Sequence, residues 1–247
     1  MKCLALISLI ETVPDYRELQ RRHNSSLDSC EYRSEQAIGR FHGLIGDLQR
    51  TSLSAKFTWF HKLLSRFAIE GRLLRHYTQN VDCIEQRVPQ LSAHSVQLYG
   101  RIDQLRCSHC GWFDFSDFQF FSGSNMPECG HCLTVSMNQE RIGERRTRVG
   151  TLRPNIVLHG EDTESYPIKQ AITYDLKAVP DVVVVVGTRL HISGARKIAT
   201  RLCQATREQG GTTIWLSKSD PPPGMAALFN VVLTQDCDKL ASIYCEA

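Results

Sequence analysis

Asp181-Val-Val-Val-Val-Val-Gly-Thr188 is the stretch that decides the fold. Its β-branched residues favour extended backbone, and a run without polar alternation suits a strand buried on both faces of a parallel sheet. Gly187 and Thr188 follow, and Ser193 is placed to cap a helix running to about Glu208, with Ala195, Ile198, Ala199 and Leu202 on one face. Gly210-Gly211 ends that helix, Thr212 to Leu216 supplies the next strand, and Pro221-Pro222-Pro223-Gly224 makes a rigid loop. Phe229 to Leu233 reads as a further strand and Asp236 to Tyr244 as a closing helix. This alternation predicts an α/β fold: a doubly wound, Rossmann-like parallel sheet.

Upstream, Glu35 to Arg50 carries Ala37, Ile38, Phe41, Leu44, Ile45 and Leu48 at helical spacing, and Phe57 to Ala68 repeats the stripe. Arg72 to Tyr77 reads as a short buried strand that delivers the polar run Thr78-Gln79-Asn80-Val81-Asp82 to a strand end, where α/β folds keep their chemistry. Asn155 to His159 reads as another short strand. Residues 101–150 break the rhythm with cysteines, glycines and the arginines Arg141, Arg145, Arg146 and Arg148. The expected organisation is a sheet domain over 1–100 and 151–247, with a helical part within about 18–70, and an inserted module over 101–150.

The 247 residues, 42% hydrophobic and 22% charged, exclude disorder, collagen and a small disulfide scaffold. A net charge of +3 is too mild for a dedicated nucleic-acid binder. The run Leu4 to Ile10 is too short for a membrane span, which needs about 20 apolar residues. Six of the ten cysteines are scattered, as suits a reducing compartment, and the expected location is cytoplasmic or nuclear.

The other four form Cys107-Ser-His-Cys110 and Cys129-Gly-His-Cys132. Two such knuckles can place four thiolates tetrahedrally around one Zn²⁺, and four protein ligands leave no open position, so the site is structural rather than catalytic. Iron is the lesser alternative for four cysteines. His109 and His131 sit inside the knuckles, as substitute ligands or, more simply, as solvent-facing residues.

Arg72-Leu-Leu-Arg-His-Tyr-Thr-Gln-Asn-Val-Asp82, the zinc module, Leu152-Arg-Pro-Asn-Ile-Val-Leu-His-Gly-Glu161 and Asp181 to Thr188 together resemble the sirtuins, NAD-dependent protein lysine deacylases, in order and spacing. Gly71 to Arg75, Leu152-Arg-Pro154, Thr213-Ile-Trp215 and the proline run resemble their fungal histone-directed branch. The resemblance implies that Gln79, Asn80 and Asp82 face the nicotinamide and its ribose. It implies that Gly187, Thr188 and Arg189 approach the ribose and phosphates, and that Asp236, Cys237 and Asp238 lie on the adenine side. The resemblance further implies that His159, Gly160 and Glu161 border an acyl-lysine peptide, such as a histone tail.

Three departures from the family pattern stand out. Where the family has the histidine general base, this chain has Tyr99, whose ordinary pKa near 10 leaves about 0.1% ionised at pH 7. His94 is the nearest histidine upstream in sequence. The family's glycine-rich phosphate loop is missing under either of two alignments, one placing Leu4-Ala-Leu-Ile-Ser8 opposite it with both glycines replaced by leucine, the other shortening it to Glu11-Thr-Val13 behind a strand over Cys3 to Ile10. Arg189 stands where a small hydroxyl is usual, able to hold phosphate or block the pocket. Three functions remain open. They are a protein lysine deacylase with Asn80, Asp82 and Tyr99 at its centre, a catalytically dead scaffold for a chromatin partner, and an enzyme repurposed for another phosphate-bearing substrate such as aminoacyl-tRNA.

Overall fold

The computed structural model describes residues 4–9, 16–25, 29–115, 123–158, 161 and 166–246. Its strands are Leu4–Ser8 (β1), Leu73–Thr78 (β2), Ser95–Gln97 (β3), Gly100–Cys107 (β4), Phe113–Phe115 (β5), Leu152–Ile156 (β6), Val182–Val186 (β7), Thr212–Ser217 (β8) and Val231–Thr234 (β9). The helices are Tyr16–His23 (α1), Glu35–Ser54 (α2), Trp59–Ile69 (α3), Pro89–Ser92 (α4), Gly130–Arg141 (α5), Tyr166–Ala178 (α6), Ser193–Glu208 (α7) and Cys237–Glu246 (α8). No described helix is long and apolar enough to cross a membrane.

Two compact units divide these elements. The first, Met1–Thr12, Ala55–Tyr99 and Asp162–Ala247, carries a parallel sheet in the order β3-β2-β1-β7-β8-β9. Relabelled in sequence within the sheet, this is the 3-2-1-4-5-6 order of the dinucleotide-binding fold, in which strand direction of travel reverses between β1 and β7. The valine run lies at the centre, with Val183, Val185 and Val186 fully buried, while Val182 and Val184 are only partly so. One layer of the core joins Leu6, Leu73, Val186 and Leu216 of the sheet to Phe60 and Leu64 of α3 and Ala241 of α8. Behind β2, Asp175 of α6 is fully buried and accepts two hydrogen bonds from Arg75 and a 2.5 Å bond from Tyr77.

The second unit, Val13–Ser54 and Gly100–Glu161, contains α1, α2, α5 and an antiparallel sheet in the order β5-β4-β6. All six apolar residues expected on the face of α2 are buried, and the helix runs one turn beyond Arg50.

Three expectations are corrected. Leu4–Ser8 is a central strand, hydrogen-bonded to both β2 and β7, so it cannot be the counterpart of a phosphate loop. Its apolar residues fill the sheet interior, in keeping with the reading of a strand here, described over Leu4–Ser8; Cys3, Ile10 and the Glu11-Thr-Val13 loop lie outside the described residues. The strand expected over Asn155 to His159 is β6 instead, and it pairs antiparallel with β4 because Leu152, Pro154 and Ile156 alternate inward. Ser193 is the first residue of α7 rather than its cap. The N-cap is Ile192, whose side chain makes no capping hydrogen bond.

Inside the sheet unit two histidines are enclosed without charge. His76 of β2 is fully buried between Ser8 Oγ at 2.7 Å and Ser95 Oγ at 3.2 Å, and burial, aided by nearby His61, pushes its pKa down to about 3. Burial likewise lowers His61 of α3 to about 4, with Asp238 pulling the other way. Both folded values lie below the ordinary 6.5, so the unfolded chain binds more protons and stability is lost as pH falls from about 6.5 towards 4. Urea unfolding is expected to lose about 1.4 kcal/mol per pH unit for each imidazole across that window, and His76→Asn to flatten the slope.

Candidate functional site

The carboxyl ends of β1, β2 and β7 converge at the reversal of strand order, the place where open α/β sheets bind ligands. Gln79 N–H continues the ladder to Ser8 O at 2.8 Å, Leu9 N–H to Val186 O at 3.1 Å, and Gly187 N–H to Leu216 O at 2.8 Å. Across these ends the Gln79 side-chain amide donates to Thr188 Oγ1 at 2.9 Å, joining two motifs 109 residues apart. Thr188 also accepts the Leu190 N–H at 3.0 Å. Gly187 has φ +63°, and a Cβ there would lie 2.5 Å from Leu9 O, so no other residue fits without moving backbone. Gln79, Asn80, Asp82 and Thr188 are each buried. Asn80 Nδ2 donates to Asp82 Oδ2 at 3.3 Å, and Asp82 Oδ1 accepts the Ile84 N–H at 3.3 Å. The predicted polar turn is thus a preorganised set of amide donors, a carboxylate and a hydroxyl. Arg189, by contrast, is exposed.

Tyr99 is buried, and its hydroxyl accepts the Ala195 N–H at 3.3 Å. Ala195 is in the first turn of α7, where backbone N–H groups lack helical partners. Tyr99 therefore does the capping that neither Ile192 nor Ser193 does. Burial pushes its pKa up to about 12, only partly offset by that N–H. A phenol so placed does not accept a proton at neutral pH. His94 Nδ1 lies 3.4 Å from Leu74 O, and its backbone carbonyl accepts the His76 N–H.

Asp236 and Asp238 follow β9 on the same carboxyl edge of the sheet. Asp236 Oδ1 caps α8 through the N–H groups of Asp238 and Lys239, and its other oxygen pairs with Lys218 at 3.1 Å. Asp238 accepts the Phe60 N–H at the start of α3, 2.8 Å away. Cys237 is half-buried, and burial raises its thiol to about 11. The geometry engages both carboxylates as helix caps. In the second unit, Glu161 pairs with Arg153 at 2.7 Å and accepts the Leu158 N–H. His159 and Gly160 lie outside the described residues. Arg141, Arg145, Arg146 and Arg148 are exposed, with Arg146 paired to Glu140.

Cys107, Cys110, Cys129 and Cys132 place their four sulfurs within 4.8 Å of one another. The Cys107–Cys132 and Cys110–Cys129 separations are 3.7 and 3.9 Å. A tetrahedron with arms of about 2.3 Å has edges of about 3.8 Å, so the cluster fits Zn²⁺. β4 delivers Cys107, and the N–H groups of His109 and Cys110 point at its sulfur from 3.3 and 3.4 Å. Burial raises the Cys107 thiol, but these N–H groups and the neighbouring thiols outweigh it and bring it down to about 7. Cys129 occupies the N-cap position of α5, so Cys132 sits in its first turn. Gly150 makes room: a Cβ there would lie 2.6 Å from Cys107 Sγ. His131 stacks on Trp112 with ring centroids 6.1 Å apart.

Of the residues signalled by sequence, Gln79, Asn80, Asp82, Gly187 and Thr188 lie at one strand edge and the four cysteines form one cluster, while Arg189 is exposed and Glu161 lies in the second unit. Sequence reasoning missed the capping role of Tyr99 and the buried carboxyl of Glu85, which lies in the turn after Asp82; an acidic residue there between Ile84 and Gln86 carried no periodic signal.

A parallel sheet in this order with a four-thiolate module defines a class. The Sir2 family profile matches residues 5–194, and the chain belongs to the Sir2 family. Within it, the chain groups with a fungal histone-deacetylase branch. It is 29% identical over 265 residues to the NAD-dependent protein deacetylase hst4 of Emericella nidulans, covering 96% of this chain and 44% of that protein. It is 31% identical over 223 residues to hst4 of Schizosaccharomyces pombe, covering 85% and 53%. With the NAD-dependent histone deacetylase HST4 of Saccharomyces cerevisiae the identity is 29%, covering 96% and 72%. The chain therefore spans about half the length of the first two relatives. A solved Sir2 homologue–NAD complex has the same fold, with TM-score 0.73 and 17% identity, covering 99% of this chain and 88% of that one. A sirtuin solved in work on substrate affinity gives 0.71 at 18% identity, covering 99% and 93%.

Two measurements check this site. Atomic absorption is expected to find one zinc per purified chain, and Cys129→Ser to abolish it, with loss of the antiparallel unit's cooperative unfolding. Tyr99→Phe removes the acceptor at α7 and is expected to cost about 0.5–2 kcal/mol in urea unfolding.

Proposed function

We propose that the chain is a Sir2-type domain of the NAD-dependent histone lysine deacylase line whose deacylation is impaired. The observation that carries this is Tyr99, held at the α7 N-terminus with its proton retained up to about pH 12. The residues present fit NAD at its nicotinamide end. Gln79, Asn80, Asp82 and Thr188 offer buried amides, a carboxylate and a hydroxyl to a carboxamide and ribose hydroxyls, and Gly187 leaves the backbone open beside them. When bound, NAD supplies an electrophilic ribose carbon to an acyl oxygen. Asn80 and Asp82 orient the ribose, while no group at Tyr99 removes a proton from its hydroxyl. An acyl-lysine protein such as a histone is the substrate class, borne on the relatives' names and consistent with a nuclear location, and Glu161 belongs to the segment that borders the peptide. The Cys107–Cys132 site holds Zn²⁺ structurally.

Calorimetry with NAD is expected to show binding, and an acetyl-lysine peptide to release nicotinamide slowly. Tyr99→His is expected to raise that release by at least about tenfold. Release at full sirtuin rates by the unaltered chain sinks the impairment, and absence of NAD heat at millimolar concentration sinks the cofactor site. The same tyrosine also favours a second reading, a scaffold that binds an acyl-lysine partner without turnover, for which Tyr99→His gains nothing.

A further inference from the structure

Glu85 stands in the short 3-10 turn Ile84–Arg87, directly after the Gln79–Asp82 turn, and is 0% exposed. Neither carboxyl oxygen has a hydrogen-bond partner of normal geometry. Asp82, close enough to act on Glu85 electrostatically, is the opposite case, since its two oxygens accept from Asn80 Nδ2 and the Ile84 N–H. A buried carboxylate without donors is far costlier than a neutral carboxyl, and two adjacent carboxylates in a dry site do not both ionise. Cys83, the first of the two residues between them, adopts a left-handed conformation with φ +61°, which turns the chain after Asp82.

We propose that Glu85 is a positioning residue for the Asn80–Asp82 turn, a buried acid that keeps its proton so that Asp82 is the single anion there. The assignment deepens, and for its cofactor consequence rests on, the reading of that turn as the nicotinamide end of an NAD site. Asp82 is the ionisable neighbour that acts on Glu85. The adjoining β2 end presents the uncharged Thr78, α4 contains no ionisable residue, and Arg87 of the same turn donates to Ala55 O. Burial first, then the Asp82 charge, raises the Glu85 pKa to about 7, against weaker pulls from its own N–H and the Thr78 hydroxyl. Ionisation of Glu85 as pH rises past about 7 sets a second anion beside Asp82 and loosens the turn.

The test follows the Asn80 side-chain amide by ¹H–¹⁵N NMR from pH 5 to 9, without any ligand. The expected result is a titration centred near pH 7 that disappears in Glu85→Gln. No titration in the unaltered chain, or the same titration in Glu85→Gln, overturns the proposal. Should Glu85→Gln not fold, Asp82→Asn serves instead and is expected to move the midpoint to lower pH; an unmoved midpoint overturns it equally. In parallel, calorimetry is expected to show NAD affinity falling about tenfold from pH 6 to 8 in the unaltered chain and staying level in Glu85→Gln. An Asn80 titration that vanishes in the variant, with no NAD heat at any pH, supports Glu85 and sinks the cofactor reading instead.

Discussion

The hydrogen bond from the Gln79 amide to the Thr188 hydroxyl, 2.9 Å across the ends of β2 and β7, expresses the constraint on which the rest of the site depends. Parallel strands end together at one edge, and the buried polar groups there need partners from neighbouring strand ends. Gly187 allows Leu9 O to approach where a Cβ would collide, and Asp82 is held by Asn80 and the Ile84 N–H. A preorganised polar edge of this kind loses little entropy on binding a ligand that matches it.

The same demand explains what has become of Tyr99. A helix beginning at Ser193 exposes N–H groups, and its own N-cap, Ile192, has no oxygen to offer. The tyrosine hydroxyl accepts the Ala195 N–H instead. The buried phenol at position 99 thus secures the start of α7. The thiolate cluster is separate in kind. It lies in the antiparallel unit, and its sulfur spacing matches a tetrahedral metal site.

Much of the parallel sheet was legible in the chain. The valine run, the α7 stripe, the α2 face and the paired Cys-x-x-Cys knuckles each carry a local period or spacing that one physical arrangement satisfies. Leu4–Ser8 was ambiguous because apolar residues suit both a strand and a filled loop; only pairing with β2 and β7 on both sides decides it. Asn155 to His159 was misplaced for a similar reason, since β-propensity does not say which sheet a short strand joins.

The sequence by itself determined the residue types at the strand ends, the thiolate set and the absence of a histidine at position 99, because these are matters of identity and spacing. Only the tertiary structure decided what those residues are bonded to: Tyr99 to α7, Asp236 and Asp238 to helix starts, Glu85 to no donor of normal geometry. The reason is physical. Whether an oxygen caps a helix, keeps a proton or meets a ligand depends on its burial and on partners remote in sequence, and neither is encoded in local periodicity.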